Sequence, residues 1–297
     1  MKVGIIGGGA IGLLFAAYLG KSFDVSLYVR RPQQKDMINK NGITLQHLHS
    51  DESVMVKAVT EYGDLSPNDL IIIAVKQYHL STLQKTLNII PKETPLLFLQ
   101  NGIGHLKMLE QLPHNHIYVG TVEHGALRIT ENVVAHKGKG KTNAAVYRGS
   151  VRRLEELSAA CTEFPVYIKA DYQMMLIEKL AVNAVINPLT AVLGVQNGRL
   201  VENDSFESLA RSVFNEILLL YPRLSHVIDF QDIKTIACNT RENTSSMLAD
   251  LKARRQTEIE AILGAIIDEA AAKNIPLSII PTLYKMVKGL DQERRKG

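Results

Sequence analysis

The chain has 297 residues, of which 46% are hydrophobic and 22% are charged, and its formal net charge is +4. This length is enough for two ordinary domains of about 100 to 150 residues each. Two cysteines are too few for a disulfide framework or a cysteine metal site, and the small charge does not indicate nucleic acid, so we expect neither metal nor nucleic acid. We also predict no apolar stretch near the roughly 20 residues of a membrane span and no signal peptide, which makes a cytoplasmic location without a membrane partner the expectation.

The first forty residues predict a strand, a glycine-rich turn, a helix and a second strand. Residues 3–6 form an apolar run, residues 13–19 have helical spacing, and residues 25–29 return to a strand pattern. The turn has GxGxxG spacing and consists of Gly7, Gly8, Gly9, Ala10, Ile11 and Gly12. Such glycines permit a tight turn, let backbone N–H groups approach a pyrophosphate, and allow the helix to pack on the strand. The segment therefore predicts a Rossmann unit that binds a dinucleotide.

The second strand ends in Arg30 and Arg31, with no acidic residue. An NAD site usually has Asp or Glu here to accept from the ribose 2′-hydroxyl, whereas cationic side chains suit the 2′-phosphate of NADP. The arginine pair therefore favours NADPH/NADP as the cofactor. The alternative interpretation is a pair of solvated surface arginines.

Two further buried strands are predicted at residues 70–75 and 96–99, and each is followed by polar residues. Ligands of open α/β sheets bind outside the carboxyl ends of the strands, so Lys76 and Asn101 are candidate contacts for cofactor or substrate. The alternatives are an ordinary exposed lysine and a simple Asn101-Gly102 turn.

Residues 120–147 read as short strands that extend the sheet in antiparallel fashion, and Gly125 is a candidate for bringing backbone near the nicotinamide. Glu123 and His124 could equally make structural hydrogen bonds. A helix over 151–164 and a last strand over 166–168 follow, and the remaining chain is almost wholly helical. We predict a Rossmann NADP-binding domain over 1–170 and a helical substrate-binding domain over 171–297.

Lys179, Asn183 and Asn187 are spaced i, i+4 and i+8 in an otherwise apolar segment, which aligns them along one helix face. Buried lysine and asparagine side chains cost several kcal/mol unless a polar group satisfies them, and a keto-acid substrate would do so. Pro188 predicts a kink or break that frees backbone groups for the site. The alternative is an interdomain polar network or a water-lined groove.

Three more segments could complete this site. Asn197-Gly198 lies in a turn context, and residues 243–248 place Asn243, Thr244, Ser245 and Ser246 before a helix whose N-terminus would suit a carboxylate, unless they simply cap it. A helix is predicted from about Gln256 to Lys273, with Glu258 beside its core stripe. Glu258 is either a surface partner of the helix dipole or a partly buried carboxylate that pairs with the lysine.

These motifs together resemble the ketopantoate reductase (2-dehydropantoate 2-reductase) family over essentially the whole chain. The resemblance rests on GIIGGGAIG, the Val75-Lys76 pair, QNGIG at 100–104, KLAVNAVINPLTA at 179–191, Asn197-Gly198 and NTSSMLADLKARRQTEIE at 243–260. It implies an N-terminal Rossmann domain, a helical domain like those of 6-phosphogluconate dehydrogenase relatives, and NADPH-dependent reduction in pantothenate synthesis. The segment around Glu123 departs from the family pattern.

The resemblance also implies residue roles. It makes Lys179 the proton donor, Glu258 an acidic contact of cofactor and substrate, and Lys76 and Asn101 cofactor-side residues. Its substrate contacts correspond to Asn183, Asn187, Asn197, Asn243 and Ser246. A related NADPH-dependent 2-keto acid reductase would share these motifs, whereas a non-catalytic NADPH-sensing protein would not need the lysine with its asparagines. A homodimer is possible.

Overall fold

The computed structural model describes residues 1–47, 50–60, 65 and 67–296, which form two compact units. The first unit comprises Met1–Gln100 and Lys107–Met175. The second comprises Asn101–Leu106 and the residues from Leu176 onward. The short segment Asn101–Leu106 therefore belongs to the same unit as the helical half of the chain.

The first unit contains two sheets. In the described part of the chain the strands are β1 (Lys2–Ile6), β2 (Asp24–Tyr28), β3 (Ile43–Gln46), β4 (Asp51–Val54), β5 (Lys57–Val59), β6 (Leu70–Ile73), β7 (Leu96–Phe98), β8 (Ile117–Val122), β9 (Gly125–Arg128), β10 (Val133–Gly138), β11 (Thr142–Arg148) and β12 (Val166–Lys169). The larger sheet has the order β12-β11-β8-β7-β6-β1-β2-β5 and the smaller one β4-β3-β10-β9. In the larger sheet, the neighbouring strands β5, β2, β1, β6, β7 and β8 are all parallel to one another. β11 is antiparallel to β8 and parallel to β12.

The parallel strands confirm the predicted Rossmann arrangement. Every residue of β6 and β7 is buried, as expected for strands covered on both faces. Because β2, β1, β6 and β7 are adjacent and parallel, their carboxyl ends lie at one edge of the sheet. The glycine turn, the arginine pair and Lys76 follow three of these ends.

The antiparallel extension predicted for residues 120–147 is only partly right. β8 and β11 do extend the larger sheet, but β9 and β10 belong to the smaller one. The reason is helix α1 (Ala10–Leu19), which is apolar and buried around most of its circumference and contacts β3, β9 and β10 as well as β1 and β2. A helix that is hydrophobic all round needs cover on both sides, and the smaller sheet supplies the second side.

The other helices of the first half are α2 (Pro32–Asn41), α3 (Leu80–Ile89), α4 (Leu106–Gln111) and α5 (Arg152–Ala160). The helix predicted over 151–164 is thus shorter at its C-terminus. Its end at Cys161 is followed by a turn in which Phe164 N–H donates to the Cys161 carbonyl at 3.3 Å. This turn leads directly into β12.

The second half is helical. Its described helices are α6 (Tyr172–Leu193), α7 (Arg199–Glu202), α8 (Asp204–Leu220), α9 (Phe230–Asn239), α10 (Ser246–Lys252), α11 (Ala265–Ala272) and α12 (Ile279–Lys296). A π-helical segment, Glu260–Gly264, leads into α11. Helical backbone begins at Ile259 rather than at the predicted Gln256, so Glu258 lies just before the helix.

Helix α6 continues through Pro188 to Leu193, so a break at the proline is wrong. Proline removes one backbone donor. The Thr190 hydroxyl lies in the same turn and donates to the carbonyl oxygens of Ile186 and Asn187 at 2.8 and 3.0 Å. Helix α6 is also largely buried, so tertiary packing supports the helix across the proline.

The expectation that no apolar stretch reaches spanning length also needs correction. Helix α6 has 22 residues and is apolar enough to cross a membrane by length and composition alone. However, 67% of its most apolar window is buried inside the protein. That burial is typical of a core helix in a soluble protein.

Candidate active site

The glycine turn has the backbone geometry that a dinucleotide requires. Gly7 has φ of +120°, and a Cβ on Gly12 would lie 1.7 Å from the Gly7 carbonyl oxygen. A Cβ on Gly9, by contrast, would meet no atom of the described residues within 4 Å. Helix α1 begins directly after Gly9 without a side-chain cap or an acidic residue in its first turn. These residues therefore fit a bound pyrophosphate, because the space beside Gly9 is open and the positive end of the α1 dipole lies directly after it.

The arginine pair lies at the end of β2, as predicted. Arg30 is exposed, and Arg31 is the residue before the first turn of α2, which starts at Pro32. The Arg31 guanidinium donates to the Glu131 carboxylate, and Nη1 of Arg128 lies 4.0 Å from the same carboxylate. The site therefore contains a third arginine and an acidic residue that the sequence pattern did not reveal.

Gln34 connects this arginine cluster to the glycine turn. Its side chain is buried and its Nε2 donates to the carbonyl oxygens of Gly8 at 2.9 Å and Glu131 at 2.8 Å. Arg128 also donates to the Gly8 carbonyl, at 3.3 Å. Glu131 and Arg128 are about a hundred positions from their partners in the chain, so no local motif signals these contacts.

Lys76 and its neighbours make the end of β6 positive. Lys76 precedes a 3₁₀ turn, Gln77–His79, and its Nζ lies 5.9 Å from the centre of the Tyr78 ring. Burial, followed by the charges of Arg30 and Lys76, lowers the pKa of His79. An anionic cofactor or substrate would find several cationic groups along this edge of the sheet.

Gly125 starts β9 and pairs with Gly138 of β10, where a Cβ would lie 3.1 Å from the Gly138 nitrogen. The neighbouring His124 is buried, stacks on Phe164 with ring centres 4.2 Å apart, and bonds to His136 at 3.1 Å. Burial and then the His136 charge lower the pKa of His124 to about 4. His124 therefore has a structural place within the first unit, and the role of Gly125 toward the nicotinamide stays a prediction.

In the second unit, α6 carries the predicted row of polar side chains. Asn183 and Asn187 are each only 8% exposed, and Lys179 is half-buried. The Asn187 Nδ2 lies 3.5 Å from the Ser246 hydroxyl. Two residues that the sequence places 59 positions apart are thus brought together.

Ser245, rather than Ser246, caps helix α10. Its hydroxyl accepts from the Leu248 N–H at 3.2 Å and lies 2.7 Å from the Thr190 hydroxyl, within hydrogen-bond distance. The alternative interpretation, in which the hydroxyl residues cap the helix, therefore describes Ser245. Ser246 is left beside Asn187, where its hydroxyl is placed to bind a polar group.

Asn197 and Asn243 meet through the backbone. The Asn197 N–H donates to the Asn243 carbonyl at 3.1 Å, and the Asn197 Nδ2 donates to the Thr240 hydroxyl at 3.0 Å. The buried Asn197 Oδ1 has no hydrogen-bond partner in the described part of the chain. A buried amide oxygen in this condition has the capacity to accept a hydrogen bond from a ligand.

Asn101 and Glu258 form a direct contact, with the Asn101 Nδ2 donating to Glu258 Oε2 at 2.9 Å. Glu258 is half-buried, so it is not the solvated surface residue that one interpretation allowed. Gly102 has φ of +75°, and a Cβ there would lie 1.9 Å from the Ala261 carbonyl oxygen. The segment after β7 therefore packs closely on the start of the π-helical segment, and this close approach holds Asn101 against Glu258.

The comparisons with known proteins agree with this arrangement in both halves. The family model described as "Ketopantoate reductase PanE/ApbA" matches residues 3–149, and its C-terminal counterpart matches residues 171–291. This chain belongs to the ketopantoate reductase family. It is an oxidoreductase, like the other members of that family.

Individual relatives match over the full length. A 2-dehydropantoate 2-reductase of Listeria innocua is 39% identical and covers 99% of this chain and 98% of its own. The crystal structure of a probable 2-dehydropantoate 2-reductase from Bacillus subtilis is 36% identical, has a TM-score of 0.86, and covers 98% of this chain and 100% of its own. A dimeric ketopantoate reductase from Staphylococcus aureus, 22% identical with a TM-score of 0.77, shares the fold over 99% of this chain and 100% of its own.

Proposed function

We propose that this chain reduces 2-dehydropantoate to pantoate with NADPH, a step of pantothenate biosynthesis. The observation that carries the proposal is the row of Lys179, Asn183 and Asn187 on one face of a largely buried helix. Relatives that match over the full length are named 2-dehydropantoate 2-reductase. The substrate is a small keto acid. A cytoplasmic location is part of the proposal.

The first unit supplies most of the proposed cofactor-binding residues. When bound, NADPH supplies the hydride for the C2 carbonyl carbon of the substrate. Backbone N–H groups of the glycine turn from Gly7 to Gly12 bind the pyrophosphate, and Arg30 and Arg31 bind the 2′-phosphate. Lys76 adds positive charge on the cofactor side.

The second unit supplies the substrate-binding residues. Lys179 Nζ donates a proton to the C2 oxygen as negative charge develops there, which makes it the general acid. Ser246 binds the substrate carboxylate, and the amides of Asn183, Asn187, Asn197 and Asn243 orient the remaining polar groups. Glu258 accepts from Asn101 and holds that amide in one orientation beside cofactor and substrate.

In this proposal, a Rossmann domain over 1–170 binds the cofactor and a helical domain over 171–297 binds the substrate. Asn101 would contribute to both. The dimeric Staphylococcus aureus relative supports a homodimer as the assembly state.

The experiment that tests the proposal is the loss of NADPH absorbance with purified protein and 2-dehydropantoate. Parallel reactions contain NADH in place of NADPH, or a 2-keto acid that lacks the hydroxymethyl group. We expect rapid oxidation with the full substrate and NADPH, and slower oxidation in both parallel reactions. Faster turnover of another keto acid would instead identify a related reductase, and NADPH binding without turnover of any keto acid would point to a sensor.

A further inference from the structure

Glu131 is an acidic residue in a site that otherwise consists of arginines. It lies in the turn between β9 and β10, where its carboxylate accepts from the Arg31 guanidinium and lies 4.0 Å from Nη1 of Arg128. The side chains of Arg31 and Glu131 are 43% and 31% exposed, so the pair is accessible to a ligand. Arg31 is one of the two residues proposed above to bind the cofactor 2′-phosphate.

The position of Glu131 is built into the fold. The buried Gln34 donates one hydrogen bond to the Glu131 carbonyl and another to the Gly8 carbonyl in the glycine turn. A Cβ on Gly8 would lie 2.5 Å from Oε1 of Gln34, which shows how closely this amide packs on the turn. The β9–β10 turn is therefore tied to the pyrophosphate-binding backbone, and the carboxylate stays beside the arginines.

A carboxylate and a phosphate have the same requirement from arginine. Each accepts paired N–H groups from one edge of the guanidinium fork, so Glu131 and a 2′-phosphate are competing partners for Arg31. A phosphate bound at Arg31 also brings its negative charge close to the Glu131 carboxylate, and like charges at short range repel. NADH has a hydroxyl in place of the phosphate and meets neither cost, because an acidic side chain accepts from that hydroxyl.

We infer that Glu131 is a specificity-determining residue of the cofactor site: its carboxylate competes with the 2′-phosphate for Arg31 and restrains the preference for NADPH over NADH. The inference rests on the proposed function, because it takes Arg31 to be a 2′-phosphate ligand. It adds a residue of the opposite charge to that site. It also implies that this chain prefers NADPH over NADH less strongly than Arg30 and Arg31 alone would predict.

The test is the direct binding of NADPH, NADP⁺ and NADH to Glu131→Gln, measured by calorimetry in low salt without keto acid. Glutamine keeps the size of the side chain but removes the charge. We expect the Kd for NADPH and NADP⁺ to fall about fivefold, as appropriate for removal of a solvent-exposed ion-pair partner, while the Kd for NADH stays the same or rises. The gain should shrink in high salt because screening weakens exposed charges.

Two further variants make the outcome specific. Glu156→Gln removes a carboxylate that pairs with Arg152 and Arg153 on α5, and it should leave all three dissociation constants unchanged. In an Arg31→Ala background, Glu131→Gln should tighten NADPH binding less than it does when Arg31 is present, because the competition for Arg31 is gone and only the charge repulsion remains.

An unchanged or weaker affinity of Glu131→Gln for NADPH would overturn the inference and make Glu131 a positioning residue for Arg31. That result would leave the proposed function intact, since the unmodified protein would still bind NADPH and reduce the keto acid. Failure of the unmodified protein to bind either NADPH or NADP⁺ would overturn both.

Discussion

The candidate substrate asparagines combine two properties that rarely occur together, polarity and burial. Asn183, Asn187 and Asn197 are each 8% exposed, and the Asn197 Oδ1 has no hydrogen-bond partner in the described residues. A buried acceptor in this state costs about 1 to 3 kcal/mol, so such residues reduce the stability of the free protein. A keto acid with a carboxylate and hydroxyls would offset that cost on binding, which is why these side chains are best explained by a ligand.

Lys179→Ala should lower kcat by about 10² to 10⁴-fold, the range for loss of a general acid. The Kd for NADPH should remain unchanged, because the proposed pyrophosphate and 2′-phosphate ligands belong to the first unit and Lys179 is not among them. Steady-state kinetics with 2-dehydropantoate and calorimetry with NADPH measure the two effects. Lys252→Ala, an exposed lysine on α10, is the control and should change neither value. Equal losses in kcat and NADPH affinity would contradict the acid role.

At the scale of elements, the glycine turn and α1 show how one short motif serves two purposes. Gly12 is needed for folding, because a Cβ would overlap the Gly7 carbonyl oxygen and separate the helix from the strand. Gly9 is in extended backbone at φ −78°, and a Cβ there would meet none of the described residues, so their packing does not require a glycine at this position. The space at Gly9 is explained by a ligand that approaches the backbone.

These two glycines should therefore respond differently to the same substitution. Gly9→Ala should fold with a Tm close to that of the unmodified protein but bind NADPH at least about tenfold more weakly, because the methyl group occupies the approach to the pyrophosphate. Gly12→Ala should lower the free energy of unfolding by several kcal/mol, since overpacking next to backbone cannot relax easily. Thermal unfolding and NADPH titration of both variants distinguish the two roles. A Gly9→Ala variant with normal NADPH affinity would show that the pyrophosphate lies elsewhere.

For the whole molecule, the strongly lowered pKa values of two of the buried histidines, His105 and His124, make stability depend on pH. His105 in the second unit is 2% exposed, and neither ring nitrogen has a hydrogen-bond partner in the part of the chain that the structure describes. Burial lowers the pKa of His105 to about 4, and burial together with the His136 charge does the same for His124 in the first unit. Because both folded pKa values lie below the ordinary 6.5, the stabilisation is fully present above pH 6.5 and is lost as the pH falls toward 4.

Each of these histidines should reduce the free energy of unfolding by about 2 kcal/mol between pH 7 and pH 5. His105→Leu should remove its share, which would be seen as a smaller difference between urea unfolding curves at the two pH values. His226→Gln, at an exposed position, is the control and should keep the full pH dependence. If His105→Leu were as acid-sensitive as the unmodified protein, the buried imidazole would not be the origin.

Short-range patterns in the sequence were sufficient to predict the Rossmann half and its strand ends. The glycine turn, the apolar strands and the arginine pair depend on neighbouring residues, and parallel pairing of β2, β1, β6 and β7 then places their carboxyl ends together. The row from Lys179 to Asn187 was also predictable, because helical periodicity alone aligns its members. The resemblance to ketopantoate reductases implies roles for these residues from their sequence positions alone.

Only the tertiary structure decided which distant residues meet and how each segment packs. The pairs Asn101 with Glu258 and Arg31 with Glu131 join positions 157 and 100 residues apart, and no periodicity predicts such a contact. Packing also overrode local preference at Pro188, where α6 continues, and in β9 and β10, which cover α1 in a separate sheet. The sequence by itself determined the local backbone and the chemical character of the site, because both depend on residues close in the chain. The acidic partner of Arg31 depended on folding, because it is set by which surfaces must be buried together.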